Sequence, residues 1–151
     1  MNPQRAIALI QAASAIWIIV ALTIVLIFLV IKVLYLLTLY RALNRCSIES
    51  RAMQPGLVWL NLIPCFSLVW NFVIVNNLSK SLDAEFKKRG IPAEDRPGQT
   101  IGLAMAILCA VSLIPCVNYL AGPAAFICWI IYWVQIAGYS GKLTGLPPVV
   151  P

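Results

Sequence analysis

The side chains that carry most enzyme chemistry are scarce in this chain of 151 residues. Histidine is absent, which removes the commonest general base and the commonest transition-metal ligand. Four of the five acidic residues fall within residues 83–95. The cysteines contain no CxxC pair, the spacing typical of zinc and thioredoxin-type sites; they are Cys46, Cys65, Cys109, Cys116 and Cys128. We therefore expect no catalytic site, no metal site and no cofactor, and we expect that the protein is not an enzyme.

Polar side chains within apolar sequence are the next candidates. Asn61, Pro64, Ser67 and Asn71 recur at spacings of three and four, so they share one face of a helix. Gln135 lies in the middle of another apolar segment. Amide groups at membrane depth bond to neighbouring helices and contribute roughly 0.6 to 2 kcal/mol each. We interpret Asn61, Pro64, Asn71 and Gln135 as helix-packing residues; the alternative is a solute pathway along the same face.

Small side chains mark a second packing face. Gly102, Ala106 and Ala110 recur at every fourth position, and Pro115 follows at the end of the same apolar segment. Small residues on one face allow two helices to approach closely in a membrane. The pattern favours tight packing within a helix bundle or against a second copy of the chain.

The elements that carry these residues are expected to lie in lipid. Hydrophobic residues make up 62% of the chain and charged residues 11%, outside the range of soluble globular domains. The apolar segments predict four transmembrane helices at 6–31, 57–75, 100–114 and 124–139. Pro64 should kink the second helix or mark a short half-helix before it, and residues 115–123 should form a tight turn. The predicted fold class is all-α and integral membrane.

A repeated phrase divides the chain into two halves. Leu-Ile-Pro-Cys occurs at 62–65 and again at 113–116. We predict two parallel-related helical hairpins within a single membrane domain, 1–151, because an even number of spans separates the two copies. The first hairpin runs from about 6 to 90, a linker from about 91 to 99 and the second hairpin from about 100 to 142, with an irregular tail at 143–151. A disulfide between Cys65 and Cys116 stays open, with buried free thiols as the other reading.

Residues 76–90 are expected to continue the second helix out of the membrane. Apolar residues recur there every four positions, and Asp83 with Lys87 and Glu85 with Arg89 have the favourable acid-first spacing. This pairing predicts an exposed helical extension. Gly90 is expected to cap its C-terminus.

Basic residues decide the predicted orientation. The net charge of +6 fits anionic headgroups better than nucleic acid, because Lys and Arg flank the predicted spans. Lys32, Arg41, Arg45 and Arg51 are candidates for headgroup contacts on one side of the membrane. The larger set on the other side favours both termini in the cytoplasm and a location in the inner membrane; it comprises Arg5, Lys80, Lys87, Lys88, Arg89, Arg96 and Lys142.

The repeated phrase also carries a resemblance. Residues 113–118 read Leu-Ile-Pro-x-x-Asn, and residues 62–67 match them except that Ser67 replaces the asparagine. In this the chain resembles small bacterial multi-pass integral membrane proteins of unknown function, which carry the element in duplicate beside Trp-rich spans. The resemblance covers about residues 59–143. It implies a multi-pass architecture and a prokaryotic envelope, and it implies no particular activity.

Two functions follow from these features. The first is a non-catalytic accessory or scaffold subunit, whose partners are membrane lipids and other membrane subunits or copies of itself. The second is a small transporter or channel for a neutral solute or a lipid, because the predicted spans contain no carboxylate for an ion-driven carrier. The identity of the partner complex and of any ligand stays open.

Overall fold

The computed structural model describes residues 2–144, apart from the side chains of Pro3, residues 5–10, Ala12 and Cys65. The described chain is all-α and contains no strand. Two short 3-10 helices, Ile48–Ser50 and Pro55–Leu62, lie between the first two α-helices. The four α-helices are α1 (Pro3–Arg45), α2 (Pro64–Lys88), α3 (Gln99–Val111) and α4 (Pro115–Thr144). The chain divides after Leu34 into two compact units.

The first unit is the N-terminal part of α1. Every side chain from Ala13 to Val30 is exposed, and residues 6–31 contain no charge. The hydroxyls of Ser14 and Thr23 donate to the carbonyls of Gln11 and Ile19, each at 2.8 Å. Because the backbone and these hydroxyls form their hydrogen bonds within the helix, this stretch needs no polar partner from its surroundings.

The second unit packs the end of α1, the second half of α2 and the second half of α4 around one core. Tyr35 contacts the ring of Trp129 at a centroid distance of 5.4 Å, and Trp133 Nε1 donates to Thr38 at 3.0 Å. Residues 35–45 therefore run parallel to α4. The fully buried side chains at this junction include Leu36, Leu39, Leu43, Leu78, Leu82, Phe86 and Ile136.

Helix α3 packs between α2 and α4. Gly102 lies against Val75 of α2 and Tyr132 of α4, and Gln99 Nε2 donates to Asn76 at 2.7 Å. Helices α2 and α3 are antiparallel, so the start of α2 and the end of α3 lie a similar distance from this contact. Both copies of the repeated phrase are therefore at the same end of the second unit.

Both prolines of the repeat begin a helix. Pro64 is the first residue of α2 and Pro115 the first residue of α4, where a missing N–H costs nothing and the fixed φ suits the helix. The short helix expected before Pro64 is confirmed as the 3-10 helix Pro55–Leu62. The tight turn expected at 115–123 is wrong, because α4 begins at Pro115 and continues through Pro123, which lies inside it. Gly122 and Pro123 had indicated a break.

The prediction of four spans is also wrong. Within the part of the chain that the structure describes, two helices are long and apolar enough to cross a membrane, Ala13–Arg45 and Pro115–Thr144. The segment at 57–75 is interrupted at Ile63, and α3 has 13 residues, or about 20 Å at 1.5 Å per residue. That is short of the roughly 30 Å hydrocarbon layer of a bilayer.

The helical extension at 76–90 and its cap are confirmed. Helix α2 continues to Lys88, and Gly90 adopts a φ of +64°. The N–H groups of Gly90 and Ile91 donate to the carbonyls of Lys87 and Phe86, the paired bonds of a Schellman motif. Leu143 and Thr144, expected in the irregular tail, are helical, and the rest of that tail lies outside the described residues. The hairpin and linker boundaries stay predictions.

We expect Gly102 to be the least replaceable glycine of the bundle. A Cβ there would lie 2.6 Å from Val75 Cγ1 and 2.8 Å from Tyr132 Cε2, so Gly102→Ala should destabilise the fold by about 1 to 3 kcal/mol. Thermal unfolding in detergent micelles measures the loss. Gly138→Ala is the matched control, because nothing lies within 4 Å of a Cβ there and alanine favours a helix. Equal melting temperatures for the two variants would contradict the close contact.

Candidate functional site

A buried carboxylate lies where α2 meets the end of α1. Glu85 is fully buried on α2. The backbone N–H and the hydroxyl of Ser47 donate to Glu85 Oε2 at 2.9 and 2.8 Å, and Arg89 Nε donates to Oε1 at 2.6 Å. Ser47 lies two residues beyond Arg45, the last residue of α1, so its N–H lies outside the hydrogen-bond ladder of that helix. The carboxylate thus fixes the chain just beyond α1 to α2.

Arginines cap the carbonyl ends of two helices at the same place. Arg45 Nη1 donates to the Ser140 hydroxyl at 2.6 Å and to the Ser140 carbonyl at 2.8 Å. Arg51 donates to the carbonyls of Cys46 and Asn44 at 2.9 and 2.8 Å. Cations suit the negative end of a helix dipole, so these bonds hold the ends of α1 and α4 together. We call Arg45, Ser47, Glu85, Arg89 and Ser140 the charge cluster.

The charge cluster strongly favours ionised Glu85. Burial alone raises the pKa of Glu85, but the hydrogen bonds from Ser47, Arg89 and Ser50 outweigh it and lower the pKa to about 2. The carboxylate is therefore charged at neutral pH and acts as an acceptor. A group held in this state is a structural anion and a poor proton donor.

The other end of the second unit is apolar. We call residues 62–67 and 113–118, the two copies of the repeat, the proline tip. Ile63, Leu113 and Ile114 are exposed there, and so are Tyr119 and Leu120 just beyond it, at 89% and 83%. No charged residue occurs between Arg51 and Lys80 or between Arg96 and Lys142. The exposed apolar surface of the tip is thus far from any charge along the chain.

The polar packing candidates are placed in different ways. Asn61 is buried in the second 3-10 helix, and its Nδ2 donates to Asn71 Oδ1 at 3.0 Å. This bond joins the two amides across the break at Pro64, while the buried Oδ1 of Asn61 has no hydrogen-bond partner among the described residues. Gln135 is half-buried beside Gly98.

The remaining packing candidates lie on α3 and at the tip. Ala106 is buried and Ala110 half-buried on α3. The rings of Pro64 and Pro115 are exposed at the proline tip. Cys116 is an exposed free thiol there, and the side chain of Cys65 lies outside the described residues.

The basic candidates are not arranged as expected. Arg45 and Arg51 bond to protein carbonyls instead of pointing to open surface, while Arg41 is exposed and Lys32 half-buried. Members of the two basic sets that the sequence assigned to opposite faces lie close together in the second unit, because Arg45 bonds Ser140 and Lys88 pairs with Glu49 at 2.7 Å. The orientation of the chain in a membrane stays a prediction.

Part of the charge cluster was missed from the sequence. The Glu85–Arg89 pair was expected but as an exposed pair, whereas the two side chains are 0% and 8% exposed. Ser47 and Ser140 were not identified, because their contacts join residues 38 and 95 positions apart. A hint lay in the Glu85 position itself, which falls three residues after Leu82 and seven after Leu78, both buried on the apolar side of α2.

We expect Glu85 to matter far more than Asp83, although both are paired with a residue four positions later on α2. Glu85→Gln leaves the Arg89 charge buried without its partner, and such a loss costs about 3 to 5 kcal/mol. In the pair of Asp83 with Lys87 the side chains are 22% and 65% exposed, so solvent reaches both charges and Asp83→Asn should cost less than about 1 kcal/mol. Denaturant unfolding in micelles compares the two variants; equal losses would contradict the burial.

The same variant tests the charge of Glu85. Its pKa falls from the ordinary 4.5 to about 2 in the folded protein, so the unfolded chain binds the proton more tightly. The stabilisation, of the order of 2 to 3 kcal/mol, is complete above pH 4.5 and is lost as the pH falls toward 2. The stability difference between the wild type and Glu85→Gln should shrink over this range, and a difference independent of pH would contradict an ionised Glu85.

Among the described residues, no group of three or more His, Cys, Asp or Glu side chains could hold a metal ion. The charge cluster is chemically suited to fastening helix ends, and the proline tip to apolar contact. Comparison with protein-family models, with curated proteins and with solved structures finds no match to this chain.

Proposed function

We propose that the protein is a non-catalytic integral membrane component that packs with other membrane subunits or with copies of itself. The observation that carries this proposal is the first unit, where residues 13–30 of α1 are exposed throughout and uncharged. A continuous apolar surface of this size is incompatible with a free existence in water. Lipid chains and the helices of partners are the surroundings that suit it.

The pairing of polar groups supports packing over transport. Asn61 bonds Asn71, and Gln99 bonds Asn76. The indole of Trp70 donates to the Leu57 carbonyl at 2.8 Å. Each of these bonds uses a polar group within the chain, although the buried Oδ1 of Asn61 has no partner among the described residues. A hydrogen bond between side-chain amides at membrane depth suits a stabilising role.

A transporter or channel for a neutral solute or a lipid is the second candidate. It is favoured by the two helices that begin with proline at the same end of the second unit, since transporters build their sites at broken helices. A shallow groove lined by Asn118, Tyr119, Gly122 and Pro123 lies at this end. Flux into proteoliposomes that is lost on Asn71→Leu and kept on Lys87→Ala would promote this candidate over the first.

The orientation follows from the shared end of the basic residues. Nine of the eleven Lys and Arg residues fall in 41–51, 80–96 and 142, and the positive-inside rule assigns this end to the cytoplasm. We propose this orientation of the second unit, in the inner membrane of a bacterium.

The test is the size and location of the protein in native-like lipid. We expect it to stay in membranes washed with alkaline carbonate and, in lipid nanodiscs, to give a particle with more protein mass than one chain of 16.6 kDa. The reason is that the exposed face of α1 is free to pack with other helices. Mass measurement of the particles gives the answer. A strict monomer without partners would contradict the packing role.

A pair of variants controls for membrane insertion. Val25→Lys puts a charge in the apolar stretch of α1, which costs about 2.5 to 3.5 kcal/mol at a bilayer centre. Ile48→Lys changes another exposed apolar residue, in the short 3-10 helix beside the charge cluster. The fraction retained after the carbonate wash should fall for Val25→Lys and stay unchanged for Ile48→Lys. An equal response would argue against α1 lying in lipid.

A further inference from the structure

We propose that residues 52–79 and 97–141 form two re-entrant hairpins, which enter the bilayer from the charged face and turn back inside it. The proline tip then contacts acyl chains and does not reach water on the opposite face. This inference rests on the proposed membrane location and adds which surface meets the lipid interior.

Each hairpin begins and ends at the end of the second unit that contains the charge cluster, which we call the charged end. The Ala52 N–H donates to the Ser81 hydroxyl at 2.9 Å, so the two ends of the first hairpin lie next to each other. The second starts after Asp95, which pairs with Lys87 at 3.3 Å. It finishes beside Ser140, which bonds Arg45. Both loops therefore leave the charged end and return to it.

Three of the four limbs of the hairpins are shorter than a bilayer is deep. The descending limbs are the 3-10 helix Pro55–Leu62, with 8 residues, and α3, with 13. These lengths correspond to about 16 Å at 2.0 Å per residue and about 20 Å at 1.5 Å per residue. On α2, the first charged residue after Pro64 is the exposed Lys80, about 24 Å away along the helix. A hydrocarbon layer of roughly 30 Å is deeper than each of these three limbs. The fourth limb, residues 115–141 of α4, is about 40 Å long, so it fits within this layer only when it is tilted.

Much of the backbone of the tip is hydrogen-bonded within the chain, which lowers the cost of a turn in lipid. In the second copy, the Leu113 and Ile114 N–H groups donate to Ala110 and Val111. The Ile114 carbonyl accepts from Val117 and Asn118, both at 3.0 Å. Pro115 has no N–H to satisfy. The second turn therefore leaves few backbone donors that need water.

The first copy is built in the same way. The Ile63 N–H donates to the Leu60 carbonyl, and the Ser67 N–H donates to the Ile63 carbonyl. The Ser67 hydroxyl donates to the Pro64 carbonyl at 2.7 Å. In the second half the Ser112 hydroxyl does the same with Cys109 at 2.8 Å. The hydroxyls near both turns are thus already bonded to the chain.

Charge excludes the aqueous alternative. A turn that emerged on the far face would place exposed Leu113, Ile114 and Leu120 in water, with no Lys or Arg nearby in sequence to meet the headgroups. Acyl chains impose no such cost. The proline tip therefore contacts the lipid interior. The test must distinguish this contact from two alternatives, which are contact with a second copy of the chain and exposure to water on the far face.

Cys116 is a natural probe of the tip. In a chain with Cys46, Cys65, Cys109 and Cys128 replaced by Ala, Cys116 is the single thiol, and it is exposed at the tip. A membrane-impermeant maleimide is applied to right-side-out and to inverted vesicles. We expect no labelling of Cys116 from either side and full labelling after detergent solubilisation. Ile63→Cys, in the same background with Cys116→Ala, tests the first turn independently.

The matched control is Glu94→Cys in the background without native cysteines, because Glu94 lies exposed in the connection between α2 and α3. It should label from one side only. Labelling of Cys116 from the opposite side would show that the hairpins cross, and labelling from the same side would show a water-filled path; both overturn the inference. A Cys116–Cys116 disulfide formed with a copper oxidant would replace lipid by a second copy. Release of the protein by carbonate would instead refute the membrane location itself.

Discussion

The long intervals between charged residues constrain the second unit more than any single contact. From Arg51 to Lys80 and from Arg96 to Lys142 the chain carries no charge, and the turns inside these intervals expose apolar side chains. A charged group in acyl chains is costly, and so is an unsatisfied backbone group. Pro64 and Pro115 reduce the number of unsatisfied backbone groups, because each begins a helix at a position that needs no N–H.

The charge cluster lies at the opposite end of the second unit from the proline tip. Glu85 is buried, but it accepts three hydrogen bonds from Ser47 and Arg89, and Arg45 reaches across to Ser140. Buried ion pairs contribute little net stability, yet breaking one is expensive. The charge cluster therefore joins the ends of α1, α2 and α4.

Local features were predictable from the sequence where neighbours in the chain decide them. The helix at 76–90, its Gly90 cap and the pairs at spacing four depend on residues within one or two turns. Proline was harder to interpret, because a proline that breaks one helix and a proline that begins the next look alike in sequence. Pro115 was read as the start of a turn and is the start of α4.

Burial and long-range contacts could not be predicted in this way. The spacing of Glu85 and Arg89 establishes that they meet and says nothing of the chain that covers them. The contacts of Ser47 and Ser140 depend on how helices distant in sequence pack, and no local pattern marks them. The number of spans was overestimated for a related reason, since hydropathy registers apolar length and does not register the break at Ile63 or the end of α3 at Val111.

The depth of the proline tip is the most direct measurement of the central claim. Spin labels at Cys116 and at Ile63→Cys, in lipid vesicles, report collisions with oxygen, which concentrates in the bilayer interior, and with a water-soluble nickel complex, which is excluded from it. We expect oxygen collisions to dominate strongly at both positions. Labels placed along each hairpin, closer and closer to the charge cluster, should give a ratio of oxygen to nickel collisions that falls toward the ratio at Glu94→Cys. Nickel accessibility at either turn comparable with that at Glu94→Cys would contradict turns that end inside the membrane.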